Sequence, residues 1–155
     1  DLLNETNEDG KLETDQNHFT ITHSRPKRDP KFSNKVNEAY GYRCAMCGIQ
    51  LGLIDAAHII PFADEKGSDD VSNGISLCAL HHRAYDRALV YFNDDYKIII
   101  NEEKMSYLEK IGRDSGARKF ERLSYDYIQI PKNDAFKPHL NNIVIANQIR
   151  GINKK

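Results

Sequence analysis

The sequence predicts an α+β domain in which short helices and a small hairpin gather around a metal-bound knuckle. Three observations carry this. Two ligand pairs, Cys44-x-x-Cys47 and Cys78-x-x-His81, are separated by 30 residues. The β-rich runs of LGLIDAAHIIP and ALVYFNDDYKIIIN are bounded by turn residues. Phe32, Val36 and Tyr40 recur every fourth residue, a helical stripe.

In chain order, residues 1–29 read as a polar N-terminal arm, acidic at first and ending in RPKRDP, with FTIT as a candidate edge strand. A helix is expected from about Pro30 to Ala39, stopped near Gly41. Cys44 and Cys47 flank a turn closed by Gly48. LGLIDAAHIIP then reads as a hairpin ending at Pro61, followed by a polar loop, FADEKGSDDVSNG. ISLCALHHRAYDRAL reads as a short helix, ALVYFNDDYKIIIN as a hairpin turning at Asn93-Asp94-Asp95, and EEKMSYLEKIG as a helix closed by Gly112. YDYIQIP is an expected strand, and PHLNNIVIANQIRGI an expected final helix packing back on the core. Residues 30–130 thus form the principal domain, and 131–155 a C-terminal strand/helix extension on it. No internal repeat or low-complexity tract interrupts this order.

At 155 residues the chain is long enough for one domain with a real core. No apolar run approaches the roughly 18 residues of a membrane span, and no signal-peptide pattern is present, so the expectation is cytoplasmic, with no membrane partner. The chain opens on Asp1 rather than Met, which fits a module of a longer protein with further domains. The formal charge of −1 hides an uneven distribution. Residues 1–15 hold six acids against one lysine, leaving +4 on the remaining 140 residues. Arg25, Lys27, Arg28, Lys31 and Lys35 cluster against Asp29 alone. Such a cluster can contact nucleic-acid phosphates and release counterions, although a solvated basic linker would look the same.

Three cysteines make a poor disulfide framework. Side chains separated by two residues in a turn or at a helix start can share one ion, and two such pairs complete a tetrahedral shell suited to Zn²⁺. A redox Cys-x-x-Cys pair would want a thioredoxin-like context that the neighbouring residues lack. The closed set Cys44, Cys47, Cys78 and His81 leaves no position for substrate, so this zinc is expected to hold the fold.

His82 is then free to face elsewhere, because successive helical residues point about 100° apart. Asp86 lies one turn on, on the same face. His58 ends the apolar run before Pro61, and Asn73 sits in the SNG turn before the helix. Strand end, loop and helix can converge on one cleft.

The combination CAMC, AAHIIP, SNGISLC and LHHRAYDRAL, spanning roughly residues 40–90, resembles the HNH endonuclease family. More narrowly it is similar to the AHIxP…NG…LCxxHH branch found in restriction-type nuclease domains. The resemblance implies a ββα-metal, treble-clef-like finger braced by the zinc, with flanking helices and a small hairpin. It also implies metal-dependent hydrolysis of DNA phosphodiesters, as the cleavage domain of a restriction or defence protein. His58 would be the general base, and Asn73 would orient it or its loop, or lend its side-chain oxygen to the metal. His82 would hold a catalytic divalent cation, most simply Mg²⁺ or Mn²⁺, with Co²⁺ or Ni²⁺ also suited to imidazole. The implied products carry 5′-phosphate and 3′-hydroxyl ends.

One position departs from the family pattern. Many members carry Asp or His immediately before the base histidine, and here that residue is Ala57. Asp55, on the same strand face, and Asp86 are the candidate replacements as ligands, with Asp86–Arg87 as an ordinary surface ion pair the competing reading. The alternative functions are a zinc-stabilised nucleic-acid-binding module without cleavage, and an RNA nuclease. No recognition element stands out. Residues 64–70, the basic segment from Arg25 to Lys35, and Arg150, Lys154 and Lys155 are expected to touch phosphates, which position without specifying sequence. One active site cuts one strand, so a double-strand break would call for a homodimer or sequential nicking. His18, His23 and His139 are expected at the surface.

Overall fold

The computed structural model describes residues 29–152. The elements are helix α1 (Phe32–Ala39), strand β1 (Ile54–His58), a 3-10 turn at Val71–Asn73, strand β2 (Gly74–Cys78), helix α2 (Ala79–Asp86), strands β3 (Val90–Phe92) and β4 (Ile98–Ile100), helices α3 (Glu102–Lys110) and α4 (Ala117–Leu123), a 3-10 turn at Asp134–Phe136, and helix α5 (Leu140–Ile149). The arm and its FTIT segment lie outside the described residues, apart from Asp29.

At the centre is a ββα unit. β1 and β2 pair antiparallel, from Ile54 opposite Cys78 to His58 opposite Gly74. α2 follows directly and packs against both strands. Ile75 and Leu77 of β2 are buried, as is Ser76 between them, so this strand is covered on both faces. α1 lies across the pair. A Cβ at position 74 would collide with Val36 and Phe32, so glycine lets the helix approach the strand. Gly41, at φ +64°, ends α1 in the left-handed region that glycine tolerates. Met46, Ile59, Ile60, Tyr85, Val90, Phe92 and Ile143 complete the core.

The helices at Phe32, Glu102 and Leu140 and the β3–β4 hairpin stand where the sequence places them. Ile143 and Ala146 dock α5 on the core. Three expectations are corrected. LGLIDAAHIIP is not a hairpin: only Ile54–His58 is a strand, and its partner lies beyond the polar loop. Ile75–Cys78 is that partner rather than helix, and α2 begins at Ala79. A buried strand running straight into a helix shows no period-2 alternation, so pattern alone merges the two. YDYIQIP forms an isolated bridge, Lys97 with Tyr127, instead of a strand. Its amides are divided: Tyr125 and Gln129 donate to Met46 and Ala45 of the knuckle, and Ile128 donates to Tyr96 of the hairpin. No continuous ladder can form on two separate partners. α4 was not foreseen, and none of its residues is fully buried.

Candidate active site and metal knuckle

Cys44 and Cys47 lie in the turn after α1, Cys78 at the junction of β2 and α2, and His81 in the first turn of α2. Their ligand atoms all fall within 4.8 Å of one another. His81 Nδ1 is 3.5 Å from Cys44 Sγ and 3.3 Å from Cys78 Sγ, and the Cys47 and Cys78 sulfurs are 3.9 Å apart. A tetrahedral ion with zinc–sulfur bonds near 2.3 Å has edges of roughly 3.8 Å, so the set fits Zn²⁺. With Nδ1 toward the sulfurs, His81 Nε2–H donates to Ser124 Oγ at 3.1 Å, the kind of outer contact that fixes a ligand's tautomer. Phe120 of α4 packs on the same ring. Burial pushes the Cys44 and Cys47 thiols above their ordinary range and pushes His81 down, keeping its imidazole neutral. All three cysteines are free of disulfides.

The two histidines of α2 diverge as helical geometry requires. His81 is buried against the knuckle, whereas His82 is half-buried and lines a cleft on the other side. This cleft, of ≈ 440 Å³, is also lined by Ala57 and His58 from β1, Asp69 from the loop, Asp86 from α2 and Arg150 from the end of α5. β1 delivers His58 to the rim because the strand ends there, where the chain turns towards Pro61.

His58 is held on three sides. Phe32 stacks on its ring at 4.1 Å and 9°, and Phe62 leans on it at 5.4 Å. Its Nε2 lies 2.8 Å from Asp69 Oδ1. Asp69 Oδ2 also accepts the Asp29 amide at 2.5 Å. Burial opposes ionisation of Asp69, but the Asp29 amide and the His58 ring outweigh it and hold the carboxyl below its usual range. A carboxylate only accepts, so Nε2 carries a proton, and in the neutral form of the ring Nδ1 holds the lone pair.

Asn73 is fully buried, and its amide is spent on the backbone of the loop. Oδ1 accepts from Ile60 N at 2.9 Å, and Nδ2 donates to Ile60 O at 3.1 Å and Ser68 O at 2.9 Å. It therefore bridges the end of β1 to the loop that carries Asp69.

His82 sits between two carboxylates. Nδ1 is 3.2 Å from Asp55 Oδ2, and Nε2 is 3.3 Å from Asp86 Oδ2. The hydrogen bond to Asp86 first, and that to Asp55 second, raise its pKa against the effect of burial. His82 in turn holds the Asp86 carboxyl below its usual range. Asp86 pairs with His82 and, at 3.9 Å, with Arg150. Asp55 stands beside His82 but outside the cleft lining.

Of the basic cluster, Arg25, Lys27 and Arg28 lie outside the described residues, as do His18, His23, Lys154 and Lys155. Lys31 and Lys35 are exposed, with Lys35 paired to Asp29 at 2.9 Å. His139 is exposed. Arg150 turns inward, its side chain 6% exposed, and lines the cleft. Reading the sequence missed the pairing roles of Asp69, Arg150 and Ser124. Asp69 was visible only as one acid of a polar loop, and nothing local marked the other two.

A ββα finger with histidines from a strand end and a helix facing one cleft, beside a Cys₃His knuckle, forms the centre of an α+β fold. Residues 44–93 match the family described as HNH endonuclease. This segment, about a third of the chain, is similar to HNH-type nuclease domains. No curated relative matches it significantly. Among solved structures it is similar to a modification dependent TagI restriction endonuclease, at 19% identity and a TM-score of 0.56, over 81% of this chain and 39% of that one. At that identity the likeness establishes a shared fold, and this chain spans about two-fifths of that protein's length. Among the described residues no helix is long and apolar enough to cross a membrane.

Proposed function

We propose that the domain is a metal-dependent DNA endonuclease, the cleavage module of a restriction-type protein, with Zn²⁺ held by Cys44, Cys47, Cys78 and His81 as a structural ion. The observation that carries the reading is the single cleft lined by an imidazole with a committed proton, His58, and by a second imidazole beside a carboxylate, His82 with Asp86. In this reading Asp69 fixes the tautomer of His58, so that Nδ1 takes the proton from the attacking water. Phe32 and Phe62 hold the ring and exclude competing water from its faces. Asn73 keeps the strand end and the Asp69 loop in register. His82 and Asp86 would hold a divalent cation, Mg²⁺ or Mn²⁺, and Asp55 would orient His82 from outside the cleft. A cation there supplies positive charge where the scissile phosphate and the leaving oxygen gain negative charge. The name of the similar structure, a restriction endonuclease, supports the restriction assignment. Residues 30–130 would form the nuclease body, with 131–155 packed on it. A homodimer and further domains would serve double-strand cleavage and sequence choice.

The competing reading, a zinc domain that grips nucleic acid without cutting, leaves the Asp69–His58 pair without a task. Incubation of supercoiled plasmid with the zinc-loaded chain and Mg²⁺ or Mn²⁺ separates them. Nicking that requires the added Mg²⁺ or Mn²⁺ at unchanged zinc content, with 5′-phosphate ends on sequencing, is expected. DNA binding with no nicking under either metal would leave only the binding module, and cleavage confined to RNA would transfer the assignment to a ribonuclease.

A further inference from the structure

We propose that Arg150 is a positioning residue for cleavage, a guanidinium that ties the strand end bearing His58 to the helix face bearing His82 and Asp86. The inference rests on the reading of the cleft given above. Arg150 caps the C-terminus of α5 and lies outside the segment that matches the HNH family. Its Nη1 donates to Ile59 O at 2.7 Å and, more weakly, to Ala146 O at 3.4 Å. Nη2 reaches His58 O at 3.5 Å and stands 3.9 Å from Asp86 Oδ1. The guanidinium carbon sits 4.0 Å over the centre of the Tyr85 ring, one residue before Asp86.

The contacts converge on the two halves of the cleft. β1 stops at His58, where the ladder with β2 ends at Gly74. The Ile59 carbonyl therefore needs a donor from elsewhere, because a buried backbone acceptor left unpaired is costly. A structural role would end there, since any donor could fill it. Arg150 also extends across the cleft wall to Asp86, which itself bonds His82. A planar guanidinium can donate to the strand carbonyls at fixed angles while its charge faces Asp86 at 3.9 Å, and an ammonium on a flexible stem cannot hold both. Stacking on Tyr85 fixes the plane of the fork. The separation of base and metal-binding face is thereby set from α5, some 90 residues from β1 in sequence.

The test uses the full 155-residue, zinc-loaded chain with Arg150→Lys and Arg150→Gln. Near-ultraviolet circular dichroism and zinc content establish which variants are folded. Mn²⁺ affinity is measured by electron paramagnetic resonance titration, and single-turnover nicking at saturating Mn²⁺. For a positioning residue, each folded variant nicks about 10–100-fold more slowly and binds Mn²⁺ about 10-fold more weakly, the range for lost outer contacts at metal sites. Because lysine keeps the charge, its loss of affinity isolates geometry. Parent-like rates and Mn²⁺ affinity in a folded variant overturn the proposal. So does tighter Mn²⁺ binding by the glutamine variant, which would make Arg150 an electrostatic counterweight. Loss of fold in both variants would make it structural only. If the parent does not nick DNA but the variants still bind Mn²⁺ more weakly, the nuclease reading fails and the positioning of the metal-binding face stands.

Discussion

Stripping the ion from the Cys₃His knuckle is expected to unfold the domain. The four ligands join the turn after α1 to the β2–α2 junction and the first turn of α2, and Ser124 ties the segment after α4 to His81. Without an ion, buried thiols and a buried imidazole are left with weak sulfur hydrogen bonds between two separate segments of the core. Structural zinc binding is worth about 10–16 kcal/mol in small domains, comparable with or larger than the roughly 5–15 kcal/mol that holds a typical domain folded. Even a loss of ~5 kcal/mol, at roughly 2–8 °C per kcal/mol for domains of this size, lowers Tm by more than about 10 °C. The assay is thermal melting by far-ultraviolet circular dichroism before and after chelation, with metal content measured on the same samples and zinc added back. A metal-free sample that melts within a few degrees of the zinc form would refute the reasoning and reduce the cluster to buried thiols.

The same site predicts a proton count. Free thiols titrate at about 8.5 and burial raises Cys44 and Cys47 further, so both are protonated at pH 7 without metal, folded or unfolded. Zinc binding at pH 7 should therefore release at least two protons, chiefly from the thiols, and zinc affinity should fall as pH is lowered. Calorimetry in buffers of different ionisation enthalpy reads the number, and a release below one proton would contradict it. At the cleft, Asp69→Asn removes the carboxylate that fixes the His58 tautomer. Cleavage should slow by about 10–100-fold, the scale of outer-contact losses, with zinc content and DNA affinity retained. An unaltered pH–rate profile in that variant would show that Asp69 does not act through His58.

Much of this was legible in the sequence because it depends on local spacing. The divergence of His81 and His82 follows from the helical rotation per residue, and the knuckle from two ligand pairs. The placement of His58 at a strand end follows from an apolar run stopped by Pro61. What failed was long-range pairing. β1 read as half of a local hairpin because its partner, Gly74–Cys78, lies across a polar loop and runs without a break into α2. YDYIQIP has strand composition but divides its hydrogen bonds between the knuckle and the hairpin. Arg150 could not be placed because its partners, Ile59 and Asp86, are brought to it only by the docking of α5. Asp69 lay in plain view, yet a polar loop with several acids gives no sign of which one meets a histidine.

The proposed role of His58 is that of the base in a phosphodiester-cleaving cleft. Its most direct measurement is single-turnover nicking of supercoiled DNA by His58→Ala beside the parent, at saturating Mg²⁺ or Mn²⁺. The imidazole is 17% exposed and packs on Phe32 and Phe62, so its loss should lower the melting temperature while leaving a folded chain with zinc content and DNA affinity close to those of the parent. The predicted result is a rate at least about 100-fold lower, the lower end for loss of a general base. Nicking at the parent rate by a folded, zinc-loaded His58→Ala variant would contradict the account.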